Sequence, residues 1–280
     1  MQHQPTQRFA STAGEIAWDV VGDGPDLVLV HGTPAHSIIW QGVIQRLRDR
    51  YRIHYLDLPG YGASAKFEGQ EVRLRSFARV LAEFLAARGL TAPHLVGHDF
   101  GAAAVLGAHL VEGAPARSIT IADGVVLGPW GTTFSRHVNQ YESVFAAVPD
   151  YIHRATITAH LETAVARPMP AGMMAALVEP WTGEIGQPAY YRQVAQYDYA
   201  YTDTLEALYP GVDVPFRILW GEADGWVDPA EGRRLQALVP GAELRLLPDA
   251  GHFSMVDCPG LFARELAAFL ALVDGTGADS

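Results

Sequence analysis

The sequence has one cysteine, no apolar run long enough to cross a bilayer and no block of basic residues, and each absence removes a class of protein. Cys258 has no intrachain disulfide partner, and its setting, Asp257-Cys258-Pro259, offers nothing to support a thiolate mechanism. Nowhere do about 18 apolar residues follow one another. Residues 1–9 are polar and lack the apolar centre of a signal peptide, so a cytoplasmic protein without a membrane span is expected. The formal charge is −11, which would repel nucleic acid; a small apolar or neutral molecule is the expected partner. Charged residues make up 18% of the 280 positions and hydrophobic ones 49%, enough apolar surface for one principal core. No solenoid-type repeat is present, and only residues 275–280 read as a loose tail. A homodimer stays open.

Short β-branched runs alternate with longer helical patterns, which predicts an α/β fold: a mostly parallel sheet flanked by helices. Strands are expected at 15–21, 27–30, 51–56, 93–96, 118–122, 216–220 and 243–247, with helices at 74–85, 102–110, 229–238 and 261–272. About ninety residues of aromatic-rich, helix-forming sequence separate the strand at 118–122 from the one at 216–220, too long for a loop. The expected organisation is a core domain of residues 1–128 and 211–280 with a helical cap at 129–210, cut into short helices by Pro168, Pro170, Pro180 and Pro188.

The chemistry concentrates in Gly97-His98-Asp99-Phe100-Gly101, which follows one predicted strand and precedes a helix. A nucleophile on such a turn needs small neighbours, because the backbone bends sharply and the flanking elements approach closely. The helix start directs its positive end at Asp99 and favours an ionised carboxylate there. The turn resembles the elbow of the α/β-hydrolase epoxide hydrolases and haloalkane dehalogenases, in which Asp replaces the Ser of esterases. Three further motifs are similar to that family: His31-Gly32-Thr33-Pro34, Asp57-Leu58-Pro59-Gly60-Tyr61-Gly62-Ala63-Ser64 and Ala250-Gly251-His252-Phe253. The resemblance spans nearly the whole chain and is weakest in the insertion.

The resemblance implies a helical cap on an α/β-hydrolase fold, with Asp99 as nucleophile and His252 as base. It implies Asp224, in Trp220-Gly221-Glu222-Ala223-Asp224, as the acid that orients the histidine, with Asp123 as the alternative. An ionised carboxylate displaces a leaving group at saturated carbon without prior deprotonation, so His252 is free to activate water against the resulting ester. The backbone N–H groups of Thr33 and Phe100 would form the oxyanion hole.

Two leaving groups fit that ester. An epoxide needs an acid near its oxygen, and the resembling enzymes use two cap tyrosines; here Tyr191, in the pair Tyr191-Arg192, and Tyr151 are the expected ones. A halide needs N–H donors, which the resembling dehalogenases take from an indole after the nucleophile and an Asn or second Trp. Phe100 and Thr33 occupy those places here, though Trp40, Trp130 and Trp181 could donate from elsewhere. Fluoroacetate dehalogenases carry arginines where this chain has Phe100, Ala103 and Ala104. An epoxide hydrolase is therefore the leading expectation, a haloalkane or haloacid dehalogenase the alternative, and a silent binding protein on the same fold the reading of another class. His31, Trp40, Trp130 and Trp181 are expected to line the substrate site. His98 reads as packing behind the turn, and His31 also as a brace for the oxyanion loop. His153 and His160 sit seven apart with no carboxylate or cysteine to complete a ligand set, so neither a metal nor another cofactor is expected.

Overall fold

The computed structural model describes residues 4–275; the last five residues of the expected tail, 276–280, lie outside them. Eight strands form one sheet: β1 (Gln7–Ser11), β2 (Gly14–Val21), β3 (Asp26–Val30), β4 (Arg52–Leu56), β5 (His94–His98), β6 (Ser118–Ala122), β7 (Phe216–Gly221) and β8 (Glu243–Leu247). Their order across the sheet is β1-β2-β4-β3-β5-β6-β7-β8. The β1–β2 and β2–β4 pairs are antiparallel and every other pair is parallel. This is the α/β-hydrolase fold. Parallel strands are covered on both faces, which is why β5, β6 and β7 are buried at every position.

β1 has no counterpart in the sequence pattern. Its polar residues leave it largely exposed, and backbone pairing to β2 at the sheet edge supports it instead of a buried face.

Before the insertion come α1 (Gln41–Leu47), α2 (Leu74–Ala87) and α3 (Phe100–Leu110). Between β6 and β7 come six more: α4 (Thr133–Gln140), α5 (Glu142–Ala146), α6 (Asp150–Glu162), α7 (Met173–Val178), α8 (Gly183–Ala195) and α9 (Tyr199–Glu206). The chain closes with α10 (Pro229–Leu238), α11 (Ser254–Asp257) and α12 (Pro259–Asp274). Pro188 does not divide the insertion as expected but lies inside α8. Its missing N–H would have bonded the Glu184 carbonyl in the first turn, and Glu184 is exposed, so water can serve that oxygen. Among the described residues no helix is long and apolar enough to cross a membrane.

Parallel strands bring their C-terminal ends to one edge. Thr33, Asp99, Asp123 and Asp224 all follow such ends, after β3, β5, β6 and β7, and His252 follows β8. In an open α/β sheet that edge is where ligands bind.

Candidate active site

β5 runs directly into Asp99, whose φ of 52° and ψ of −117° belong to neither strand nor helix, and α3 begins at the next residue. Such a backbone costs of order 1–3 kcal/mol and persists only where its surroundings over-determine it. The two flanking glycines do so. A Cβ on Gly97 would stand 2.3 Å from the Gly101 carbonyl oxygen, and one on Gly101 would stand 2.4 Å from the carbonyl oxygens of Val30 and His31. A side chain at Gly97 would push the start of α3 off the strand, and one at Gly101 would push it away from the end of β3.

Asp99 is 3% exposed. Its two oxygens face different partners: Oδ1 accepts the Thr33 N–H at 2.6 Å, while Oδ2 lies 3.4 Å from Nε2 of His252. The expected oxyanion loop is thus in contact with the carboxylate through the Thr33 N–H, and Phe100, the other expected donor, is the first residue of α3. Its shape is held from behind by His31, which accepts the Leu58 N–H at Nε2 (2.8 Å) and donates from Nδ1 to the Gly32 carbonyl (2.9 Å). Burial keeps that ring neutral, holding it down to about 4. With both nitrogens engaged and no exposed surface, His31 braces the loop and does not line the cavity, contrary to the expectation for substrate binding.

His252 donates from Nδ1 to Asp224 Oδ2 at 3.0 Å. The other Asp224 oxygen accepts the N–H groups of Trp226 and Val227, at 2.8 and 3.0 Å, so the carboxylate is fixed by its own turn. Burial opposes a charge on the imidazole, but the carboxylates of Asp224 and Asp99 outweigh it and raise His252 to about 10. Asp123, the alternative acid, makes no bond to His252. It accepts the Gly221 N–H at 2.7 Å and pairs with the Ser254 hydroxyl. Burial first, then the charge on Asp224, pushes Asp123 well above the usual carboxylate range. His98 donates to the His252 carbonyl at 2.9 Å and is kept neutral by burial, the supporting place expected for it.

A cavity with about 30 Å³ of free space opens on Asp99 between the strand ends and the insertion. Of the residues expected to bind substrate, Trp130 lines it; Thr33 and Phe100, expected as oxyanion donors, line it too, and so do Tyr190, Gln193, Tyr197, His160 and Trp226, which were not singled out by the sequence as site residues. Trp226, two residues past Asp224, had a positional signal. It stacks on His160 (4.3 Å between ring centres, 11° between planes) and meets the His252 ring at 4.9 Å. His160 is held down to about 4 by burial and then by His252.

The two expected tyrosines are not brought to the site. Tyr191 points into the insertion, where its hydroxyl donates to His153 Nδ1 at 2.9 Å while His153 Nε2 donates to the Trp181 carbonyl at 2.7 Å. Tyr151 is 70% exposed on α6. Of the two tyrosines that line the cavity, it is Tyr197, between α8 and α9, that feels the Asp99 charge. Its hydroxyl is within hydrogen-bonding reach of Thr33, and burial, the nearby tyrosines Tyr61 and Tyr190 and the Asp99 charge together hold its proton on.

The tryptophans are placed differently from expectation too. Trp40 is walled into the core between His98 and Phe262, and Trp181 donates its indole N–H to the Pro34 carbonyl at 2.7 Å; neither lines the cavity. Trp130 does line it, edge-on to Phe100, but its N–H is directed to Thr202 at 3.3 Å. The Trp226 N–H goes to Thr163 at 2.8 Å.

The sequence profile described as the Alpha/beta hydrolase family matches residues 27–265. A solved α/β-hydrolase-fold protein from Burkholderia ambifaria is 35% identical, with a TM-score of 0.89 over 94% of this chain and 97% of its own. The pimeloyl-acyl-carrier-protein methyl ester esterase of Vibrio atlanticus is 25% identical over 91% of this chain and 97% of its own length. An ancestral haloalkane dehalogenase superposes with a TM-score of 0.80 over 96% of this chain and 100% of its own; at 19% identity that likeness speaks for the fold alone. By profile, identity and architecture together, this chain belongs to the α/β-hydrolase family.

Proposed function

We propose that the protein is a hydrolase that attacks saturated carbon through an alkyl ester on Asp99, and that its substrates are small, largely apolar epoxides opened to vicinal diols. The observation that carries this reading is the division of labour within one carboxylate. Asp99 lines the cavity; its Oδ1 is held by the Thr33 N–H, while its Oδ2 makes no such bond among the described residues and lies 3.4 Å from His252 Nε2. The helical insertion serves as the cap that closes over the substrate.

In the first step Oδ2 forms a bond to an epoxide carbon, and the ring carbon–oxygen bond breaks toward the oxygen. Tyr197 protonates that oxygen and regains a proton through solvent from the imidazolium of His252. Ester formation removes the negative charge on Asp99, one of the two charges that hold the His252 proton in place. The imidazole then enters the second step neutral, as a base, and takes a proton from the water that attacks the Asp99 acyl carbon. The oxygen in the Thr33 hole carries the charge of the tetrahedral species, where each donor contributes about 3 kcal/mol. Collapse restores the carboxylate and the imidazolium and releases the diol.

Halide release finds less support. The indole N–H groups of Trp130 and Trp226 are both spent on protein acceptors, which leaves neither lining indole to hold a departing anion. Ester hydrolysis is the second reading, favoured by the similarity to a methyl ester esterase over 91% of the chain; against it, position 99 offers no hydroxyl.

Intact-protein mass spectrometry of a His252→Gln variant decides among them. Blocking the water step is expected to trap the ester, with an epoxide adding its full mass and a haloalkane its mass less HX. Hydrolysis of methyl or aryl esters by the wild type, with no trapped species and a gain on Asp99→Ser, would reverse the proposal in favour of an esterase.

A further inference from the structure

Gln193, on α8, is 2% exposed and lines the same cavity as Asp99. Its carboxamide oxygen accepts two hydroxyls from separate core loops: Thr33 Oγ1 at 3.0 Å and the Tyr61 hydroxyl at 2.8 Å. Two donors converging on one oxygen fix which way the amide faces. Its other end, Nε2, carries two N–H donors and has no acceptor among the described residues. A nearly buried amide whose oxygen is doubly satisfied and whose nitrogen is not leaves its donors to whatever enters the cavity.

We propose that Gln193 is a catalytic donor that, beside Tyr197, holds the oxygen departing from the carbon attacked by Asp99. The inference rests on Asp99 as nucleophile. As the carbon–Oδ2 bond forms, the electron pair of the ring carbon–oxygen bond moves onto the ring oxygen. Tyr197 supplies the proton and Gln193 supplies N–H bonds without giving one up. The N–H groups are neutral and fixed in place, so they favour an oxygen that gains negative charge in the transition state over the uncharged epoxide oxygen. The geometry also links the two sides of the reaction: the Thr33 residue whose N–H holds Asp99 Oδ1 is the one whose hydroxyl aims Gln193.

The test measures how fast the trapped ester forms in the His252→Gln background, with styrene oxide as probe, by intact mass. Adding Gln193→Leu or Gln193→Glu is expected to slow ester formation by about a hundredfold, the usual effect of removing one such donor. Decay of the ester in single turnovers with His252 intact should change by less than about twofold, because that step does not use the departing oxygen's site. Gln193→Glu keeps an oxygen to accept from Thr33 and Tyr61. A merely structural role would therefore leave its ester formation close to that of the parent. An unchanged rate in Gln193→Glu, whatever Gln193→Leu does, would overturn the assignment of Gln193 while leaving Asp99 as nucleophile. No ester in the His252→Gln parent, with any epoxide, would instead remove the reading of Asp99 and this inference with it.

Discussion

The two walls of the cavity are built by different means. On the core side, Thr33, Asp99 and Asp224 stand at the ends of β3, β5 and β7, and their positions are set by ladder hydrogen bonds and backbone contacts around the elbow. On the insertion side, Tyr190, Gln193, Tyr197 and His160 come from helices and a connecting turn, held by side-chain packing and side-chain hydrogen bonds. The core wall fixes Asp99 through the backbone on both sides of it and through the Thr33 N–H. In the proposed reaction the insertion wall is the one that faces the departing group.

Breaking the core wall has the larger effect. Asp99→Asn is expected to lower kcat for diol formation by roughly four orders of magnitude or more, because it removes the nucleophile and leaves only binding and the oxyanion donors. A residual rate within tenfold of wild type would mean that Asp99 does not form the bond. Asp224→Asn should cost about 10⁴-fold, since the amide can present its N–H to the histidine and favour the wrong tautomer.

The same pair of variants sharpens the electrostatics of His252. Its proton is held by Asp224 first and Asp99 second, against burial, at about 10 in the free protein. The imidazole signal followed by NMR should therefore titrate lower in Asp99→Asn and lower still in Asp224→Asn. Because the folded value lies above the ordinary 6.5, the stability it contributes is fully present below about 6.5 and is lost as the pH rises through about 10. Urea midpoints measured from pH 7 to 10 should fall in the wild type and fall less in Asp224→Asn. An equal slope in both would place the titrating group elsewhere.

On the insertion wall the effects shrink. Tyr197→Phe removes one acid from the ring-opening step and should slow ester formation by about 10²-fold, with the ester's decay unchanged. Equal slowing of both steps would make Tyr197 a packing residue.

The core wall was also the legible one. Gly97-His98-Asp99-Phe100-Gly101 can be read because a strained turn admits few residues on either side; Asp224 follows a strand buried at every position, and His252 follows one whose charged and apolar residues alternate. In the insertion neighbouring residues compete on equal terms. Tyr190 and Tyr191 are both buried in α8, so no polar face marks which of them looks into the cavity. Tyr197 lies past the end of α8, where helical periodicity has stopped and nothing in the chain marks its direction. The tryptophans fail for a related reason. An indole is a useful donor only if its N–H is free, and the acceptors that engage Trp130, Trp181 and Trp226 are Thr202, Pro34 and Thr163, remote from them in sequence.

The smallest effect is the sharpest test of that division. Tyr191→Phe deletes one buried hydrogen bond, the hydroxyl given to His153, and leaves the ring packed against Tyr190 and Phe145. It should lower stability by about 1 kcal/mol, read from the urea midpoint, and change kcat by less than about twofold. The lost partner is a histidine nitrogen that burial already keeps neutral, so the penalty is that of an unmet acceptor and not of an unpaired charge. If Tyr191→Phe slowed ester formation as Tyr197→Phe is expected to, then α8 would present its other face to the substrate, and Gln193, two residues further along the same helix, would have to turn with it.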